Sequence, residues 1–133
     1  MVNRKRIVVT LYRAWRLRSF AWGSADCLHF ASACAAAITG HDPATALKRR
    51  YSSETGARRV MVNEGWRDMG DVAASLLPEI PLAHARSGDW AHVEDEQGRD
   101  GIGVVCGHMI AARTEAGMGQ VPLSHAKRAF RVE

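Results

Sequence analysis

The sequence predicts an α+β fold in which amino-terminal helices pack on a carboxy-terminal antiparallel sheet, and three observations carry that prediction. Apolar residues recur at helical spacing through roughly the first 77 positions. After Pro78 the pattern changes to short β-prone runs separated by glycine and charge. Helices that precede strands rather than alternating with them describe segregated layers. A chain of 133 residues suits one core, so residues 1–133 are expected to form a single domain.

The elements follow in order. Over residues 5–19, Ile7, Val8, Leu11, Tyr12, Trp15 and Leu17 fall at helical spacing between arginines, which predicts a basic first helix. Residues 19–23 read as a short connection. Ser24 or Asp26 caps a central helix over residues 27–39, which Gly40 ends, with Cys27, Phe30, Ala31, Cys34 and Ile38 as its inward stripe. Asp42-Pro43 starts a short helix running to about Arg50, and Ser53 or Thr55 begins another that ends near Gly65. Residues 68–77 form the last helix, stopped by Pro78. Strands are expected at 89–93, 102–106, 108–112 and 129–132, with 94–100 as a polar hairpin loop and Gly107 in a tight turn. Trp66 and Trp90, at element boundaries, read as core anchors.

Composition excludes several function classes. Apolar residues make up 47% and charged residues 24%, the balance of a soluble globular protein. No run approaches the roughly 20 apolar residues of a spanning helix. Arg4, Lys5 and Arg6 precede Ile7-Val8-Val9, but Thr10, Tyr12, Arg13 and Arg16 leave no apolar region long enough for an export signal. Three cysteines cannot all pair, and free thiols are expected. Cys27 and Cys34 lie about 10 Å apart along one helix, and Cys106 with His108 has no completing motif, so neither a metal nor a cofactor is expected. The net charge is +4, yet Lys48-Arg49-Arg50, Arg58-Arg59 and Lys127-Arg128 are dispersed and no nucleic-acid-binding motif accompanies them. The charge is read as serving solubility or docking on acidic partner proteins.

Cys27 is the residue whose position carries most chemistry. A thiol at a helix amino terminus meets unsatisfied N–H groups and the positive end of the helix dipole, which favour thiolate and would lower its pKa. The competing reading is a cysteine that simply packs. Trp22-Gly23-Ser24-Ala25-Asp26-Cys27, followed by Leu28-His29-Phe30-Ala31, resembles the nucleophile segment of the NlpC-type family of papain-like cysteine peptidases, which cut peptide bonds in cell-wall stem peptides. The similarity continues in Ile38-Thr39-Gly40, Tyr51-Ser52-Ser53, Gly88-Asp89-Trp90, Gly101-Ile102-Gly103-Val104-Val105-Cys106-Gly107 and Ala129-Phe130-Arg131-Val132, and so covers roughly residues 7–132.

That resemblance implies a papain-like, NlpC-type fold with Cys27 at the nucleophile position and Trp22, Gly23, Asp26, Gly88, Asp89 and Gly101 as supporting motif residues. It also resembles the small NlpC-related proteins encoded among phage tail genes. One departure stands out: where the active peptidases begin a strand with the His-Val-Gly-Ile that holds the general base, this chain has Gly101-Ile102-Gly103-Val104. His92 and His108, on neighbouring predicted strands, are the substitute base candidates. His29, two residues from Cys27 on one helix, points elsewhere, and His41, His84 and His125 read as loop residues. The expectation is a virion component, made in the host cytoplasm, that contacts other tail or baseplate proteins and peptidoglycan. It is expected to be a tail-tip or tail-assembly structural protein with a degenerate peptidase fold that does not cleave cell-wall peptides. The alternative is a tail cysteine endopeptidase that cleaves peptidoglycan stem peptides during genome entry.

Overall fold

The computed structural model describes residues 2–94 and 97–133, and its elements come in the expected order, helices first and strands second. The first helix, α1 (Arg4–Trp15), starts at Asn3, whose side chain accepts the Arg6 N–H. It ends four residues before the predicted Ser19. Arg113 reaches across from the sheet and donates Nη1 to the Trp15 carbonyl at 3.0 Å, while Arg18 stacks its guanidinium 4.1 Å from the Trp15 ring centroid. Leu17, counted in the helical pattern of residues 5–19, lies beyond the helix and is 89% exposed. The central helix α2 (Cys27–Thr39) has the predicted bounds, capped by Asp26 and closed by Gly40 at φ 80°. Phe30, Ala31 and Cys34 of its stripe are fully buried, and Trp15 meets Phe30 edge to face at 5.5 Å.

The Asp42-Pro43 start gives only a turn, in which Asp42 accepts the Ala44 N–H, before the four-residue α3 (Thr45–Lys48). Helices α4 (Glu54–Glu64) and α5 (Met69–Leu76) are capped by Ser53 and Asp68, each accepting an N–H three residues on. The sheet contains β1 (Glu79–Ile80), β2 (Trp90–Glu94), β3 (Asp100–Cys106), β4 (Met109–Thr114), β5 (Gly117–Pro122) and β6 (Arg128–Phe130). All pairs are antiparallel, in the order β1-β6-β2-β3-β4-β5. The predicted 94–100 loop includes residues 95 and 96, which lie outside the described residues.

Two strands escaped the sequence reading. β5, Gly-Met-Gly-Gln-Val-Pro, is an edge strand with no apolar alternation, and β1 has two residues. The last strand stops at Phe130 rather than Val132, because the Val132 N–H donates to the Asp89 carboxylate instead of to a ladder. The helices cover one sheet face, where Trp90, Ile102, Val104, Ala111 and Phe130 join the main core. Val93, Val105 and Ile110 form a smaller cluster with Ala91 and Ala126. Pairing between β3 and β4 is confined to Val104–Ala111, Val105–Ile110 and Cys106–Met109. Beyond those pairs the first half of β3 stays with β2 and the second half of β4 with β5, so the sheet splays beside the start of α2.

Candidate active site

The loop before α2 is shaped by Gly23. Its φ of +83° suits glycine, and a Cβ there would lie 2.7 Å from the Ser52 Cα, so the Tyr51-Ser52 backbone is packed directly against it. That approach delivers the Tyr51 hydroxyl to Asp26. The Asp26 carboxylate is 1% exposed and accepts four N–H or O–H groups: Gly23 N at 3.0 Å, His29 N at 2.9 Å, the Tyr51 hydroxyl at 2.7 Å and the His29 ring at 2.7 Å. Burial alone would raise its pKa. The hydrogen bonds from His29, Tyr51 and Gly23 outweigh burial and hold the carboxyl below its usual range. Tyr51 is pushed far up by burial and by the same carboxylate, and stays a neutral donor.

Cys27 follows at the first position of α2, partly buried. The expected lowering of its pKa does not occur. Burial pushes the thiol up to about 12, and the carboxylates of Asp26 and Asp100 add to that push, against the thiolate-favouring N–H groups of Ile102 and Leu28. The helix dipole does not rescue it, because the capping carboxylate already answers the positive end of α2.

Gly101 lies directly beside the thiol: a Cβ placed on it would sit 4.0 Å from the Cys27 sulfur, an ordinary van der Waals distance. The position at which the sequence reading expected the base is therefore adjacent to the sulfur, and carries no side chain. Neither substitute candidate is hydrogen-bonded to the thiol among the described residues. His108 is exposed in the turn between β3 and β4, at the opposite end of β3 from Gly101. At about 3.3 Å per residue that is roughly 20 Å away. His92 is 3% exposed on β2, opposite Ile102. Its Nε2 pairs with Asp100 Oδ1, and its Nδ1 is buried without a partner against Gly70 of α5. Asp100 in turn accepts the Met69 N–H at 2.6 Å. His29 is engaged by Asp26, and no histidine is hydrogen-bonded to Cys27 among the described residues.

The other motif residues hold the frame. Asp89 is 1% exposed and accepts the Arg86 and Val132 N–H groups and an Arg4 N–H at 3.3 Å, and so ties α1 to the end of the chain. Arg4 donates further to the Ser87 and Val132 carbonyls. Gly88, at φ +93°, leaves room for Ile38, whose Cδ1 would be 2.6 Å from a Cβ there. Trp22 is half-buried, edge to face with Phe20 at 5.3 Å.

Two hollows flank Cys27. On the side of the splayed strands is a cleft of about 330 Å³, lined by Phe20, Trp22, Cys27, Gly101 and Arg113 among others. On the helical side is an apolar slot of about 80 Å³ among Leu28, Val60, Met61, Trp66 and Met69. Arg113 escaped the sequence reading. It is 4% exposed, and nothing in Ala-Ala-Arg-Thr distinguished it from a solvated strand residue because β4 was expected to stop at Ala112. No three His, Cys, Asp or Glu side chains gather as a metal set, and no helix is long and apolar enough to cross a membrane, among the described residues.

A family model described as "Domain of unknown function (DUF6950)" matches residues 3–132. No curated protein matches. Among solved structures the fold is similar to one titled "Crystal structure of NlpC/p60 domain of peptidoglycan hydrolase SagA", with a TM-score of 0.58 and 14% sequence identity, covering 98% of this chain and 99% of that one. The NlpC-type α+β architecture expected from the sequence is thus the observed one, with a sheet of six strands.

Proposed function

The chain belongs to the family described as a domain of unknown function (DUF6950), and we propose that it is a non-catalytic relative of cell-wall peptidases that serves as a phage tail-tip or tail-assembly structural protein. One observation carries the non-catalytic part: Gly101 stands 4.0 Å, measured from a Cβ built on it, from the Cys27 sulfur, where the resembled peptidases have their base. Positioned acid–base catalysis contributes about 10²–10⁴-fold, and here no histidine is hydrogen-bonded to the thiol among the described residues. The raised thiol pKa points the same way. The tail assignment rests on the resemblance of the motif set to small NlpC-related proteins of phage tails, and it makes tail or baseplate proteins and peptidoglycan the partners to test.

The test is genetic and biochemical together. Cys27→Ala should leave particles that assemble and infect normally, purified protein should release no fragments from peptidoglycan, and the chain should be found in stoichiometric amounts in virions. Intact Cys27→Ala particles that fail to infect would support the alternative, a tail cysteine endopeptidase acting during genome entry.

A further inference from the structure

The sheet ends in two unlike edges. β1 closes one side with two residues, while β5 leaves a strand of six on the other. Proteins ordinarily blunt a long edge with a lysine, an inward charge, a bulge or a cover. β5, Gly-Met-Gly-Gln-Val-Pro, carries no charged side chain, and its one proline is its last residue. Two bonds fix which of its backbone groups face β4. The Leu123 N–H donates to the His108 carbonyl at 2.8 Å, and the Gly117 carbonyl accepts the Thr114 hydroxyl at 2.8 Å, so the odd-numbered residues turn to β4. Backbone groups alternate along an antiparallel ladder, and Met118, Gln120 and Pro122 therefore turn theirs outward. Among the described residues one outward group is answered: the Met118 carbonyl accepts the Tyr12 hydroxyl at 3.4 Å. Proline has no N–H, so the edge is left with the N–H groups of Met118 and Gln120 and the carbonyls of Gln120 and Pro122.

We propose that β5 pairs with β5 of a second copy of this chain, antiparallel about a two-fold axis at Gln120, and so joins two six-stranded sheets into one. In that register the two Gln120 residues exchange both of their backbone bonds. Each Met118 N–H donates to the Pro122 carbonyl of the other copy. The reverse bond is not called for, because proline has no N–H to give and the Met118 carbonyl already holds Tyr12. The missing donor and the occupied acceptor thus fall opposite each other. A shift of two residues separates them: one way it sets the Gln120 N–H against the occupied Met118 carbonyl, the other way the Gln120 carbonyl against proline. Only the centred register matches every free group on the edge. No like charges oppose each other across the two strands. A contact in which the same strand serves both partners closes at two copies. The proposal is independent of whether Cys27 reacts.

The experiment is sedimentation equilibrium of the full chain. The mass should approach two copies of 14.6 kDa by about 100 µM, the weak range of small interfaces. Amide exchange read by mass spectrometry should slow in the segment containing Gln120 as the dimer forms. Gln120→Pro removes the central donor without touching a bond to β4, and should weaken dimerisation at least about 10-fold. Gln120→Lys sets two cations face to face at the axis and should weaken it as well, with part of the dimer returning at high salt. Circular dichroism checks that both variants fold. Should the proline variant unfold, the lysine variant, changed at an exposed side chain, still decides. A mass of one copy throughout, growth past two copies, or an undiminished dimer in either folded variant would overturn the proposal.

Discussion

At Cys27 two local effects oppose each other, and burial wins. The helix start offers N–H groups, but burial and the carboxylates of Asp26 and Asp100 hold the proton on sulfur. Restoring a base should shift that balance. Gly101→His places an imidazole beside the sulfur from a Cβ position already clear of it, so alkylation of Cys27 at pH 7 is expected to rise at least about 10-fold; an unchanged rate would mean that access, not the base, limits the thiol. Asp26 gives a second test. Its folded-state pKa lies below the unfolded value of about 3.9, so its contribution to stability is present above that pH and is lost as pH falls through the folded value. Asp26→Asn keeps the shape but turns an acceptor into a donor facing Gly23 or Tyr51. It should cost about 2–4 kcal/mol at pH 7 in urea unfolding, and progressively less as pH falls below the unfolded value toward the folded one. A penalty that stays constant as pH is lowered through the acid range would show that charge is not what matters.

Among the elements, the loop before α2 and the splay of β3 from β4 do most to position the site. Gly23→Ala meets both a φ of +83° and a backbone atom 2.7 Å from the new Cβ. It should destabilise the chain by about 2 kcal/mol or more and expose Cys27 to alkylation, read by thermal unfolding and thiol titration; a variant as stable as the parent would refute this account of the loop. Much of this level was legible in the sequence, because capping and closing residues act locally: Asp26, Gly40, Ser53, Gly65 and Asp68 sit where expected. What was not legible depends on distant groups. α1 ends at Trp15 because Arg113, 98 residues away, takes its carbonyl. β5 is held by pairing with β4, not by its own weak pattern. Buried His92 and exposed His108 look alike in sequence, and His108 is in a turn because β4 starts at Met109, one residue later than predicted.

At the scale of the whole molecule, the proposed reading is of an NlpC-like frame with no side chain at Gly101 beside the Cys27 sulfur. The frame was readable from motifs: Gly88 and Asp89 join α1, β2 and the end of the chain through Arg4 and Val132. The cleft was not, because it exists only where two strands part and where Arg113 is buried without an opposite charge. A thiol that only packs predicts that Cys27→Ala leaves thermal stability within about 1 kcal/mol of the parent, as befits a small substitution at a partly buried position. The most direct measurement is the pH dependence of Cys27 alkylation, resolved from Cys34 and Cys106 by peptide mass. The account predicts no inflection below about pH 10, in keeping with a pKa raised to about 12. An inflection near pH 7 or lower would mean a thiolate poised for reaction, and would contradict the claim that this site has lost its catalytic chemistry.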